Sequence, residues 1–102
     1  MVIVVSFVKE RSGYERDGSF TTAKGSGWQM FDTGIACQTL CLAAHDAGLG
    51  TVIMGVFDDA KVAKELEVPE TQEVAALIAI GYADIVPETP VRKSVEELLM
   101  FR

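Results

Sequence analysis

Long hydrophobic runs are missing from this chain, and so are most residues that usually declare a chemistry. No apolar stretch reaches the roughly 18 to 20 residues that a membrane span needs. Met1–Val8 is apolar, but without a basic region before it or a small-residue cleavage site after it, it does not read as a signal peptide. Only two cysteines, Cys37 and Cys41, occur, and usage this sparse fits a reducing cytoplasm better than a disulfide scaffold. There is one histidine, no G-x-S-x-G, no P-loop and nothing resembling a hydrolase triad. Nine basic residues against fifteen acidic ones give a net charge of −6, which argues against a broad nucleic-acid surface.

What is present is apolar and short. At 102 residues the chain is one domain, 1–102, and 49 % of it is hydrophobic, with a mean hydropathy of +0.25. A domain of this size buries only about 65 % of its unfolded surface. So much apolar chain around so small an interior argues for an oligomer or a partner.

The chain centres on Asp32–Gly55 (DTGIACQTLCLAAHDAGLGTVIMG). Asp32 suits a helix N-cap, an apolar helix follows to about Ala47, and Gly48-Leu49-Gly50 stops it. The polar pairs Gln38/His45 and Thr39/Asp46 leave one narrow polar stripe, so the helix should be covered on two sides, by the sheet on one and on the other by another helix, of this chain or of a second subunit. Thr51–Val56 reads as a buried strand ending near Gly55. Asp58 opens a second helix with Val62, Ala63 and Leu66 inward, closed at Val68-Pro69. Glu73–Tyr82 is the most hydrophobic run and predicts a central strand, while β-branched Met1–Val8 predicts a strand buried on both faces.

Two segments lie outside this pattern. Lys9–Met30 is a polar, glycine-rich connection longer than the usual loop, hence functional, mobile or completed by another chain. Trp28, Phe31 and Phe20 are its candidate anchors to the core. After Tyr82, Pro87 and Pro90 mark an extended tail, with a short turn capped by Ser94.

Several constellations compete with plainer readings. Cys37, Cys41 and His45 fall at i, i+4 and i+8, but a closed zinc site wants four ligands and none completes the set, so the cysteines read as core and no metal is expected. His45 as a base lacks an orienting partner, because Asp46 points elsewhere on a helix. Gly48-Leu49-Gly50 ends a helix where a dinucleotide fingerprint must begin one. Arg92-Lys93 fits either a phosphate anchor or a solvated basic pair. Gly55 at a strand end would let a flat ligand approach the backbone.

Taken together in order, Trp28–Gln38, Leu42–Thr51, Ile53–Asp58 with Lys61-Val62 and Leu66, and Ala76–Tyr82 leading to Pro90–Lys93 resemble the FMN-dependent nitroreductases. The β-α-β-α-β alternation alone would suggest a doubly wound parallel sheet. The resemblance instead implies an α+β, three-layer α/β/α fold on a mostly antiparallel sheet, here a truncated version. It also implies a homodimer with FMN at the interface, and hydride passing from NAD(P)H through flavin to nitroaromatic or quinone-like acceptors. Met54 and Gly55 would then lie against the flavin ring, Arg92 and Lys93 would meet its phosphate, and no side chain need act as a general acid. The match covers only the C-terminal portion of such enzymes. Their Arg-Arg-Ser phosphate motif is absent, and Lys9-Glu10-Arg11-Ser12 follows a strand and does not replace it. The alternative reading is a non-catalytic dimerisation or ligand-binding remnant of the same fold.

Overall fold

The computed structural model describes residues 1–102. Val2–Val8 forms strand β1, Gly27–Asp46 helix α1, Gly50–Met54 strand β2, Asp59–Glu65 helix α2, Gln72–Gly81 strand β3 and Val95–Leu98 a single turn, α3. The sheet order is β1-β3-β2. Both pairings are antiparallel, so the doubly wound parallel arrangement is excluded and the fold is α+β.

The most hydrophobic run takes the centre, as its composition requires. Val74, Ala76 and Ile78 of β3 are buried, Ile78 completely, while Ala75, Leu77 and Ala79 between them are half-buried. One face of the central strand is therefore closed and the other only partly so. α1 lies across all three strands and α2 packs against β3. A bulge lets Val5 oppose Ala76 and Ser6 oppose Val74, leaving Ala75 as the extra residue.

β1 corrects one expectation. It is an edge strand whose residues are half-buried or exposed; its β-branched composition reflects strand propensity and not burial on two faces. α1 corrects another. It begins at Gly27, with Ser26 as an N-cap whose side chain caps nothing, so Asp32 lies inside the helix and accepts the Ser12 hydroxyl. Asp is a favoured cap, but here a tertiary partner takes its carboxylate and the chain is already helical before it.

α1 has a buried side and, opposite it, a narrow exposed apolar stripe flanked by Gln38 and His45 on one hand and Thr39 and Asp46 on the other. Gln29, Thr33, Cys37 and Ala44 are buried, whereas Phe31, Ile35 and Leu42 on the far side are exposed. At 100° per residue these sets are diametrically placed. At the C-terminus Gly48 adopts φ 77. Its N–H donates to His45 O at 2.9 Å and that of Leu49 to Ala44 O at 2.9 Å, which is the Schellman arrangement. The glycine stop read from the sequence is there.

The Lys9–Met30 connection is ordered by its own contacts. Tyr14 bridges Phe20 in a small hairpin, their rings meeting edge to face at 5.0 Å. The Trp28 indole N–H donates to the Thr22 hydroxyl at 2.7 Å, and Trp28 stacks edge-on with Phe31 at 5.4 Å. Phe20 and Phe31 nevertheless stay more than half exposed, so these aromatics tie the segment to itself and to α1 rather than to the core.

The tail beyond Gly81 is exposed throughout. Accessible surface totals 8553 Å², against about 5,600 Å² expected for a folded 11.0 kDa chain. The radius of gyration is 17.0 Å, where about 13 Å is usual for this length.

Candidate functional site

Met54 is the last residue of β2, half-buried and paired with Leu77. Because β2 is a sheet edge, its outer side and the Gly55 backbone that follows are free of neighbouring strands. Gly55 is exposed, and a Cβ placed on it would meet nothing within 4 Å. The chain's own side chains leave this backbone uncovered.

The turn leaving Gly55 is held by Asp58. Its carboxylate accepts the Lys61 backbone N–H at 3.0 Å, capping α2, and its other oxygen meets Lys61 Nζ at 3.1 Å. The backbone bond first, then the side-chain bond, hold the Asp58 carboxyl below the ordinary aspartate value. This fixes where the chain goes after Val56 and Phe57.

Arg92 and Lys93 lie in the exposed tail just ahead of Ser94. Ser94 is a capping box: its hydroxyl accepts the Glu97 N–H, and Glu97 accepts the Ser94 N–H. The two cations make no ion pair, since Lys61–Asp58 is the chain's single salt bridge. No hydrogen bond ties them to Met54 or Gly55. The structure thus gives an open glycine edge and a pair of free cations, and does not join them within one chain. The five main surface cavities, of about 290 to 410 Å³, are lined by other residues.

Cys37 is buried and Cys41 half-buried, both as free thiols. No group of three or more His, Cys, Asp or Glu side chains is placed to hold a metal ion. His45 is exposed in the last turn of α1.

Sequence reasoning missed Gln29. It is buried, and its Oε1 accepts the Glu10 N–H at 2.6 Å, steadying a non-glycine residue at φ 57. The one available signal was a glutamine in the first turn of an otherwise apolar helix.

The profile of the Nitroreductase family matches residues 1–82. This chain belongs to the nitroreductase family. Among solved structures it is similar to a nitroreductase family protein from Streptococcus pneumoniae, with TM-score 0.72 and 32% identity over 76% of this chain and 38% of that one. A nitroreductase family protein from Clostridium difficile shares the fold, with TM-score 0.74 and 24% identity over 98% of this chain and 58% of that one. An NADPH:FMN oxidoreductase from Vibrio harveyi, complexed with NAD+, gives TM-score 0.65 and 31% identity over 72% of this chain and 33% of that one. No curated protein matches. The chain thus spans 33% to 58% of the length of these three relatives. Its antiparallel sheet with packed helices is the α+β nitroreductase-like fold in part. No helix of this nitroreductase-family chain is long and apolar enough to cross a membrane.

Proposed function

We propose that this single-domain chain works as a flavin oxidoreductase of the nitroreductase type, binding FMN and operating as a cytoplasmic homodimer. Hydride would come from NAD(P)H and go to a nitroaromatic or quinone-like small molecule. The observation that carries this reading is the uncovered backbone at Gly55, immediately after the edge strand of a nitroreductase-family sheet.

The residues present fit the cofactor's chemistry. A flat ring needs backbone approached without a side chain in the way, which Gly55 offers, with half-buried Met54 beside it. A phosphate needs cations not already neutralised, and Arg92 and Lys93 are such a pair. Bound flavin would supply the two-electron redox step; the protein would bind it, orient it and exclude water. The exposed backbone N–H at this strand end would donate to the ring's polar edge.

The dimer is supported by the surface excess of the single chain and by the apolar stripe of α1, where Ile35 and Leu42 are exposed. A second copy would also bring a tail and its cations toward a Gly55 edge to which no bond ties them in one chain.

The test is Gly55→Ala. The new methyl meets nothing of the chain, so stability should hold while FMN affinity falls at least about tenfold, or about 1.4 kcal/mol. Protein that is colourless, ignores added FMN and yet sediments as a tight oligomer would favour the second reading, a dimerisation or ligand-binding domain. That reading is supported by the lack of any hydrogen bond or ion pair between the tail cations and Gly55 within one chain.

A further inference from the structure

We propose that the cavity at the start of α1 is a binding site for a small planar aromatic carboxylate. It measures about 410 Å³ and is lined by Lys24, Gly27, Trp28 and Phe31, a volume within the range of small-molecule sites, roughly 300 to 1,000 Å³. None of these residues is among those named for FMN, so the site stands or falls apart from the flavin reading.

Its walls are built to receive a ring. The Trp28 indole is fixed in orientation by its bond to the Thr22 hydroxyl at 2.7 Å. Phe31 stands nearly perpendicular to it, at 83°, giving two aromatic surfaces at a corner. Aromatic pairs favour such edge-to-face and offset contacts, so a third ring entering the corner gains both area and quadrupole complementarity. Gly27 carries no side chain into the space, and a Cβ there would meet nothing within 4 Å.

Its polar groups are built to receive an anion. Lys24 is exposed and makes no ion pair, the chain's single salt bridge being elsewhere. The Trp28 backbone N–H, in the first turn of a helix of 20 residues, donates to no acceptor in the chain, and the Ser26 side chain does not cap the helix end. An ammonium and a free N–H at the positive end of a helix together select a carboxylate. Asp32, one turn further on, is engaged by the Ser12 hydroxyl. The net charge of −6 opposes any anion from a distance, so binding should be modest, and salt should weaken the Lys24 attraction while also screening that repulsion.

Trp28 is the only tryptophan, so labelled protein gives a single indole ¹⁵N–¹H resonance; because Trp28 also lines a neighbouring cavity with Ser12, Gly13, Thr21 and Thr22, the Lys24→Met variant assigns a shift to this one. Benzoate should shift it saturably. Cyclohexanecarboxylate, charged but not planar, and benzyl alcohol, planar but uncharged, should each bind about tenfold more weakly, and Lys24→Met should weaken benzoate by about the same factor. Lys24 is a surface residue, so the variant should fold, and its circular dichroism checks this. No saturable shift with benzoate, equal binding by the Lys24→Met protein, or equal binding of either control would overturn the proposal. An unchanged FMN affinity in Lys24→Met would confirm that the two sites are separate.

Discussion

Glu67 does for α2 what Gly48 does for α1. Each sits one residue past the helix C-cap in the left-handed region, at φ 51 and φ 77 respectively. Each is followed by the same pair of bonds: Glu67 N–H to Lys64 O and Val68 N–H to Ala63 O repeat, in α2, the bonds of Gly48 and Leu49 in α1. One position holds the residue that geometry favours and the other does not.

Glu67→Gly should therefore stabilise the protein. Relief of left-handed strain, about 1 to 2 kcal/mol, exceeds glycine's extra entropy cost of roughly 0.5 to 1 kcal/mol, leaving a net gain of about 0.5 to 1. By the same balance Gly48→Ala should lose about 0.5 to 1 kcal/mol, since a Cβ there has open space and adds no clash. Urea denaturation of both variants checks the pair, and equal and opposite signs are the expected outcome.

The flavin reading separates binding from folding. Arg92→Ala with Lys93→Ala changes two exposed side chains, so thermal stability should not move beyond about 0.5 kcal/mol. FMN affinity should fall by about 2 to 4 kcal/mol, given roughly 1.5 to 3 per charge-assisted bond before losses. Flavin fluorescence titration measures the second quantity and thermal melting the first.

The outer side of α1 predicts the assembly. Ile35 and Leu42 are 54% and 60% exposed, so replacing both with Glu disturbs little inside one chain. In a dimer built on this side, paired charges would be forced into an apolar contact and the protein should sediment as monomer. A variant that keeps the size of the parent protein places the interface elsewhere.

Acid should loosen α2 through Asp58. Its folded carboxyl titrates below the ordinary aspartate value because of Lys61. The contribution is thus fully present above about pH 4, the unfolded value, and is lost as pH falls through the lower folded value. Asp58→Asn keeps a capping oxygen but no charge. Parent and variant should differ in melting temperature near neutrality and converge as pH falls through the lowered folded value of Asp58.

Much of this architecture was legible in residues alone, and each legible part had a local cause. The Glu73–Tyr82 run became the central strand because it is the most apolar segment and the centre of the sheet is its most shielded place. Gly48 stopped α1 because a left-handed residue is needed there whatever the surroundings. Asp58 and Ser94 cap their helices through bonds reaching only three residues ahead. The start of α1 was misplaced for the complementary reason: Asp32 is a good cap by type, but Ser12, distant in sequence, claims its carboxylate. Gln29 gives only the faint signal of a glutamine in an apolar helix and Lys24 gives none, since their roles depend on Glu10 and Trp28 being brought beside them.

Sequence by itself thus determined the elements, their stops and the family, because periodicity, capping and glycine conformation act over a few residues. Tertiary structure alone decided that β1 lies at an edge, that α1 leaves Phe31, Ile35 and Leu42 exposed, that nothing covers Gly55, and that no bond ties the tail cations to it. Those outcomes depend on pairing order and on contacts between distant segments, which no local pattern encodes.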